Sequence, residues 1–401
     1  MPWTPQSWLL RILLLSVVTT AVVQAVRPMA SYKVLAVGGS IADVGIVAAA
    51  FGFLSLFFAV PIGRWVDRGS ESGFMLIGAA LMAASAAGTA LATSVVVLAL
   101  CQALLGVGHI GVAVGLQTMI SNRGTAADHD SRFGAFAVTQ SLGQLIGPAA
   151  AGILAANGTP HPTVDVVFIA SAFAVLLAAP LALTLGSSDG TSDRDVPTPG
   201  TASEGMRTAV RRVIAVPSMR QALLAGIAVV VSNNVLIAYL PAYGVAAGLS
   251  VEVVGLLLTL RAGASMASRL LIGRLRSRIN RRTLLGACLV APALALFVVS
   301  FRSEVPILFI AMFVVGFGLG LGQPLTLTWI AGRSPKELRG TAVALRLAGN
   351  RVGQFTVPAT LGVVGGIAGV SAVFWSLGIL LILTALAVRT ARFVETPLEP
   401  G

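Results

Sequence analysis

Apolar residues fill long, nearly uninterrupted stretches of this chain, and short polar segments separate them. A helix needs about 20 apolar residues to cross the hydrocarbon core of a bilayer, and each stretch approaches that length. The twelve stretches lie at residues 9–31, 42–62, 74–93, 95–120, 134–156, 164–185, 220–243, 251–272, 283–301, 305–330, 340–365 and 369–388. The pattern therefore predicts an all-α membrane protein with twelve transmembrane helices, named here by span number.

The longest polar segment, residues 186–218, lies between the sixth and seventh spans. Its serines, aspartates, prolines and glycines cannot bury a core and are typical of a flexible linker. Its end, 206–216, mixes arginine with valine and isoleucine, which predicts a short basic amphipathic helix on the inner membrane face. We therefore expect an amino-terminal six-helix bundle (1–185), a cytoplasmic linker (186–218) and a carboxy-terminal six-helix bundle (219–401).

The two halves repeat with a constant offset of 210 residues. Four pairs of spans and one pair of loops share it. The matches are Val44-Gly45 with Val254-Gly255, Gly63-Arg64 with Gly273-Arg274, Gly106 and Gly108 with Gly316 and Gly318, Gly143-Gln144 with Gly353-Gln354, Pro148 with Pro358, Gln24 with Asn234, and Gln140 with Asn350. Duplicated halves favour alternating access, in which two similar bundles rock about a site at their interface.

Composition and charge agree with a membrane protein. The chain is 56% hydrophobic and 10% charged, with a mean hydropathy of +0.91, whereas soluble domains carry about 25% charged residues. This excludes a soluble enzyme, a nucleic-acid-binding domain and a disordered chain.

Most of the 27 lysines and arginines lie in loops on the side of the amino terminus, and the opposite loops hold only Lys33 and Arg302. The positive-inside rule then predicts an inner (plasma) membrane protein with both termini in the cytoplasm.

Catalytic and metal-binding patterns are missing from the sequence. The two cysteines, Cys101 and Cys288, lie in separate apolar runs, and the three histidines, His109, His129 and His161, are scattered. We expect no metal, no cofactor and no enzymatic activity.

Polar residues inside the spans are the candidate substrate site, because polar side chains in lipid are costly and normally face a bundle interior or a cavity. The predicted cavity residues are Gln24, Arg27, Gln102, His109, Gln140, Asn233, Asn234, Arg261, Gln323, Asn350 and Arg351. Interhelical hydrogen bonding is the alternative interpretation of each of them.

Three of these residues, Arg27, Arg261 and Arg351, lie deep in their spans. Helix geometry places Arg261 and Arg351 roughly 20 Å and 18 Å from the inner surface, and no Asp or Glu lies near mid-span. An anionic substrate would supply the missing charge, and guanidinium suits carboxylate or phosphate. Alternatively, the arginines bond to carbonyls and glutamines, or Arg27 pairs with Asp43. Arg269 lies close enough to the inner surface that its side chain could snorkel to it.

Two loops carry a family resemblance. Between the second and third spans the chain reads Gly63-Arg64-Trp65-Val66-Asp67-Arg68, and the repeat, 273–282, keeps the basic residues but loses the acid. This pattern resembles the cytoplasmic loop signature of the major facilitator superfamily, and the resemblance covers essentially the whole chain. It implies two pseudo-symmetric six-helix bundles and a conformational latch. The implied latch residues are Gly63, Asp67, Arg68, Arg278, Arg281 and Arg282. A carboxylate such as Asp67 can cap the amino end of a facing helix in one conformation, although a loop charge that only sets orientation is the alternative.

The fifth span carries Gly143, Gly147, Pro148 and Gly152. This run resembles the antiporter signature of the superfamily's drug/proton exporters and implies export, although ordinary small-residue packing would also explain it. One departure concerns coupling, because Gln102 stands four residues before Gly106, where many proton-coupled members have arginine. Proton coupling would then use His109, Asp43 or Asp67.

The sequence therefore predicts a secondary transporter that moves a small organic solute across the inner membrane by alternating access, with protons as coupling ion and export as direction. The alternative is an organic-anion importer or exchanger that uses the deep arginines. A non-transporting receptor or scaffold is a third class, but the linker and termini are too small for a signalling domain.

Overall fold

A computed structural model describes residues 5–66, 71–123, 129–156, 163–185, 206–335 and 338–391. These residues form thirteen α-helices and no strand. The helices are α1 (Pro5–Ala36), α2 (Ile41–Val66), α3 (Glu71–Leu91), α4 (Val95–Asn122), α5 (His129–Leu154), α6 (Asp165–Leu183), α7 (Met206–Ala215), α8 (Met219–Ala246), α9 (Val251–Arg278), α10 (Arg281–Phe301), α11 (Val305–Arg333), α12 (Arg339–Ala368) and α13 (Val370–Arg389). All except α7 correspond one to one with the predicted spans, and residues 186–205 of the linker lie outside the described residues.

Ten of the described helices are long and apolar enough to cross a membrane. The two long helices that are not among them are α5 and α12, which carry polar residues such as Gln140 and Arg351 along their length. Such helices remain inside a membrane protein when neighbouring helices cover their polar side chains.

Helix ends divide the molecule into two sides. We call the side where α1 begins and α13 ends the terminal side, and the opposite side, which holds the α1–α2 and α8–α9 turns, the far side. The cores of the two halves consist of buried side chains from consecutive helices, such as Met82 and Leu105 in the first half and Leu296 and Phe374 in the second.

The sequence repeat corresponds to repeated packing. In the first half, Gly106 of α4 lies directly against the backbone of Phe51 in α2. In the second half, Gly316 of α11 lies in the same way against the backbone of Arg261 in α9. Both members of each contact are offset by 210 residues, so the two halves share one internal arrangement. Glycine at these positions lets two helix backbones approach closely.

A second repeated contact joins the halves to each other near the far side. A Cβ atom at Gly45 of α2 would lie 2.6 Å from the carbonyl oxygen of Pro358 in α12, and one at Gly255 of α9 would lie 2.8 Å from that of Pro148 in α5. Pro358 also accepts a 2.7 Å hydrogen bond from the hydroxyl of Tyr239 in α8. We call the two glycine–proline contacts the far-side seams.

The short helix α7 packs against the second half. Its Val213 is fully buried and belongs to the same hydrophobic cluster as Met219 of α8 and Ala342 of α12. Its arginines Arg211 and Arg212 are exposed. The helix is therefore amphipathic, with its apolar face on the terminal side of the second half.

Candidate functional site

Deep polar residues from both halves meet midway along the helices, in a group that we call the central cluster. Its members are Arg27 of α1, Phe51 of α2, His109 of α4, Asn233 and Asn234 of α8, Arg261 of α9 and Arg351 of α12. Arg27 donates a 2.8 Å hydrogen bond from Nη1 to Oδ1 of Asn234, which links α1 to α8. The hydroxyl of Ser31, one turn further along α1, donates at 2.6 Å to the Ala238 carbonyl. The cluster thus lies where the first half meets the second.

An aromatic ring, rather than a carboxylate, supports Arg27. The guanidinium carbon lies 4.3 Å from the centroid of the Phe51 ring, which is a cation–π distance. Asp43, the partner considered from the sequence, instead accepts 2.7 Å hydrogen bonds from the backbone nitrogen and the hydroxyl of Ser40, at the start of α2. The Arg27–Asp43 alternative is therefore wrong, because Asp43 caps its own helix.

The other two arginines of the cluster also donate to neutral groups. Arg261 is 3% exposed and donates to Oδ1 of Asn233. Its Nε is buried and has no partner among the described residues. Arg351 donates to Oε1 of Gln354 at 3.4 Å, one turn along its own helix. The charges of Arg261 and Arg351 both act on Arg27, so the cluster concentrates positive charge, which is expensive at mid-bilayer without a counter-ion.

His109 lies at the edge of this positive region. The centroid of its ring is 6.2 Å from that of Phe51, and the charges of Arg351 and Arg27 act on it. A protonated imidazole would therefore meet like charges, unless an anion were bound beside it. Protonation of His109 and occupation of the cluster by an anion are thus electrostatically linked.

Three further predicted cavity residues, in α4, α5 and α12, differ in burial. Gln102 of α4 is 2% exposed and its buried Nε2 has no partner among the described residues, and the same holds for Oδ1 of Asn350, which is 7% exposed. Gln140 of α5 is half-buried. Asn350 and Gln102 are therefore enclosed polar groups, and a role of either in binding remains a prediction.

The motif of α5 packs α5 against both halves. Cβ atoms at Gly143 and Gly147 would lie 2.6 Å from Cβ of Thr20 and 2.8 Å from Cβ of Gln24, both in α1. Gly152, near the other end of α5, approaches α9. The small residues of this motif thus allow close contact on two sides of α5, and Gln24 lies directly beside it.

The predicted latch residues that the structure describes lie on the terminal side. Gly63 falls within α2, Asp67 and Arg68 lie outside the described residues, and Arg278 is the exposed last residue of α9. The part of the latch that would involve Asp67 therefore stays a prediction from the sequence.

Two latch arginines make contacts inside the second half. Arg281 donates from Nη2 to the Leu325 carbonyl at 3.1 Å and to the Thr328 hydroxyl at 2.8 Å, which ties α10 to α11. Arg282 donates to the carbonyl of Arg389 at the end of α13. The bond to Arg389 satisfies a carbonyl group at a helix end, whereas the contacts of Arg281 lie within α11.

Gln323 of α11 lies away from the central cluster and towards the terminal side. Its Oε1 accepts from Nη2 of Arg269 at 3.4 Å, and its backbone oxygen accepts from Nη2 of Arg346 at 3.5 Å. Arg269 therefore does not snorkel to the surface, because an amide acceptor on the neighbouring helix lies within its reach.

Phe51 is the member of the cluster that sequence reasoning missed. A phenylalanine in an apolar span carries no signal of its own. The repeat did hold one, however, because Phe51 is the counterpart of Arg261 at the offset of 210 residues. A position whose counterpart is a deep arginine is a candidate for the same depth and the same interface.

Known proteins match both the sequence and the fold. The family model described as Major Facilitator Superfamily matches residues 12–254 and 222–401. Multidrug resistance protein 2 of Bacillus subtilis is 26% identical over 162 residues, which is 40% of this chain and 39% of that protein. The chain spans about two fifths of the length of the curated relatives it matches.

Solved structures share the fold over nearly the whole chain. A bacterial homolog of the human lysosomal transporter Spinster, in an inward-facing and occupied conformation, aligns with a TM-score of 0.75 at 16% identity, covering 95% of each chain. The nucleoside transporter NupG aligns with a TM-score of 0.77 at 14% identity, covering 96% of this chain and 98% of that one. At such identities these structures establish the fold alone.

Proposed function

Because the chain belongs to the Major Facilitator Superfamily, we propose that it carries a small organic solute across the membrane by alternating access. Family membership confirms the predicted resemblance, the predicted fold and the assignment to transporters rather than enzymes. The chain is an integral membrane protein. We assign the moving parts to the bundles 1–185 and 219–401, joined by the linker 186–218, with the latch residues exchanging partners on the terminal side.

The far-side seams carry this proposal. Gly45 and Gly255 contact the carbonyls of Pro358 and Pro148, so small residues alone separate the bundle backbones near the far side. Contacts of this kind hold the far side closed. Rocking would part them and expose the central cluster to the far side, as two pseudo-symmetric bundles permit.

A disulfide across one seam tests alternating access. A Cβ atom at Gly366 of α12 would lie 3.4 Å from Cβ of Ala42 in α2, close to the 3.5–4.5 Å that disulfides span. We expect the Ala42→Cys/Gly366→Cys variant, once oxidised, to lose transport and to recover it on reduction. Continued transport by the cross-linked protein would contradict alternating access at this seam.

A cross-link inside one bundle is the matched control. A Cβ atom at Gly88 of α3 would lie 2.9 Å from Sγ of the native Cys101 in α4, so Gly88→Cys offers a disulfide that does not cross the seam. Its oxidation should leave transport intact, because the bundles move as units. The two single variants, Ala42→Cys and Gly366→Cys, control for the substitutions themselves.

Export, with protons as the coupling ion, is our proposal for direction. The contacts of Gly143 and Gly147 on α1 support a role of the α5 motif in positioning that helix, and a relative named for multidrug resistance supports efflux. The distribution of lysine and arginine supports insertion in the inner membrane with both termini in the cytoplasm.

Organic-anion transport, by import or exchange, is the second candidate, and the central cluster favours it. Arg27, Arg261 and Arg351 donate to amide oxygens in the described structure, and a carboxylate or phosphate would replace neutral acceptors by charged ones. Hydrogen bonds to charged groups contribute about 1.5–3 kcal/mol each.

A thermal-shift screen of the purified chain in detergent separates the two candidates. We would compare benzoate, an organic anion, with ethidium, a lipophilic cation, at two pH values. A ligand at about 100 times its Kd adds about 2.7 kcal/mol to the native state. Stabilisation by benzoate that Arg351→Ala abolishes would establish the anion candidate. Stabilisation by ethidium alone would favour the multidrug exporter and would mean that the arginines stabilise the fold rather than bind the solute.

A further inference from the structure

A second pair of arginines, Arg269 and Arg346, lies in the second half between the central cluster and the terminal side. Arg269 is eight residues beyond Arg261 on α9, about 12 Å, and Arg346 is five residues before Arg351 on α12, about 8 Å. Both displacements point towards the terminal side. The two side chains meet at one residue, Gln323 of α11, which accepts a hydrogen bond from each.

Both guanidinium groups retain unused hydrogen-bonding capacity at this place. Arg346 is 8% exposed, and the Nε atoms of Arg346 and Arg269 are buried without a partner among the described residues. Their acceptors on Gln323 are neutral oxygens at 3.4 and 3.5 Å. A guanidinium offers five donors, and the neutral oxygens of Gln323 compensate neither charge.

A glycine lies beside one of these Nε atoms. Gly226 of α8 faces Arg346, and a Cβ atom placed on it would lie 3.4 Å from Nε and 3.6 Å from the Thr326 hydroxyl oxygen. Any larger side chain at this position would fill the volume next to the guanidinium. A glycine and a hydroxyl thus border the Arg346 guanidinium where α8, α11 and α12 meet, and Gln323 links this guanidinium to that of Arg269 on α9.

We propose that Arg269, Arg346 and Gln323 form a second anion-binding site, which takes a carboxylate or phosphate group on the terminal side of the central cluster. This inference rests on the anion candidate of the proposed function. An anion with two oxygens accepts from both guanidiniums, in the planar geometry that arginine favours. Both sites are positively charged and lie about 12 Å apart along α9, so one anionic solute can bind at each in turn.

An isosteric exchange tests the second site without changing its shape. Gln323→Glu places a carboxylate between the two arginines and occupies the site from within. We expect this variant to have a higher Tm without ligand. In titrations of Tm with benzoate and with inorganic phosphate at fixed ionic strength, we expect wild type to show two components and Gln323→Glu to lose one of them. Gly226→Val, which fills the space without altering charge, should weaken the same component at least tenfold.

Arg351→Gln and Arg274→Gln complete the experiment. Arg351→Gln should remove the other component, which belongs to the central cluster. Arg274 lies on the same helix as Arg269 but is exposed, so Arg274→Gln removes an equal charge and should leave both components in place.

Each pattern of loss distinguishes the two sites in a different way. A single component that disappears in Arg351→Gln and persists in Gln323→Glu overturns the second site and leaves the central one. A single component that disappears only in Gln323→Glu supports the second site and overturns anion binding at the central cluster. If wild type shows no component, both sites are overturned. If Arg274→Gln loses a component, the stabilisation depends on overall positive charge, and the second site is overturned.

Discussion

Phe51 and Arg261 occupy equivalent places in the two halves, and each lies with its backbone against a glycine of the neighbouring helix, Gly106 or Gly316. One side chain is an aromatic ring and the other a guanidinium. The repeat therefore preserves backbone packing while the chemistry of the two halves diverges. The first half contributes a π face to the central cluster, and the second contributes most of its positive charge.

The stacking of Arg27 on Phe51 predicts a specific substitution pattern. Phe51→Leu keeps the site apolar but removes the ring 4.3 Å from the guanidinium, and we expect a loss of about 0.5–2 kcal/mol in stability. Phe51→Tyr retains the ring and should lose much less. The measurement is the Tm of the purified variants, and equal losses for leucine and tyrosine would contradict a cation–π contribution.

The far-side seam predicts a shift between conformations. Gly255→Val introduces side-chain atoms where a Cβ alone lies 2.8 Å from the Pro148 carbonyl, so the seam must open. We expect a cysteine placed at Ser31, which the closed far side buries, to react at least several-fold faster with a water-soluble maleimide. Gly286→Val is the control, because open space surrounds Gly286, and its labelling rate should match that of the parent.

The position of His109 beside the arginines predicts the sign of the effect of pH on binding. An anion at the cluster offsets the repulsion between protonated His109 and the charges of Arg27 and Arg351, so proton and anion should bind cooperatively. Anion affinity should then rise as the pH falls, and His109→Gln should abolish this dependence. An exchanger of protons for drug predicts the opposite sign, with affinity falling as the pH falls.

The ion pair between Lys33 and Asp165 predicts a modest stabilisation of the first half on its far side. Lys33 Nζ lies 2.7 Å from Oδ1 of Asp165 and donates at 3.0 Å to the Ala90 carbonyl. Asp165 is half exposed, so Asp165→Asn should cost about 1 kcal/mol or less, and less still in high salt. In the exposed pair of Arg302 and Glu304, Arg302→Gln should give no measurable change in Tm.

The sequence predicted the helices correctly because the thickness of the bilayer sets the length of a membrane-spanning helix. The spans predicted at 251–272 and 305–330 became Val251–Arg278 and Val305–Arg333, longer by a turn or two where arginine extends past the apolar stretch. The repeat also gave the equivalent glycines, since close helix approach demands a missing side chain in both copies.

The sequence could not predict which groups accept hydrogen bonds from the deep arginines. A hydrogen bond such as that between Arg27 and Asn234 joins residues 207 positions apart, and its geometry depends on how two whole bundles meet. The predicted pairing of Arg27 with Asp43 is wrong, because the carboxylate of Asp43 accepts hydrogen bonds from the nearby Ser40. The sequence could not show where the side chain of Arg269 goes, because a side chain that snorkels and one that bonds to a neighbouring helix have the same sequence pattern.

The two far-side seams have a consequence for the tolerance of this protein to mutation. Each seam consists of a glycine from one half and a proline carbonyl from the other, and the duplication supplied the arrangement twice. Two equivalent contacts therefore join the halves near the far side, and each holds part of the interface. A substitution such as Gly255→Val then parts one seam, while the glycine–proline contact of the other copy still joins the two halves.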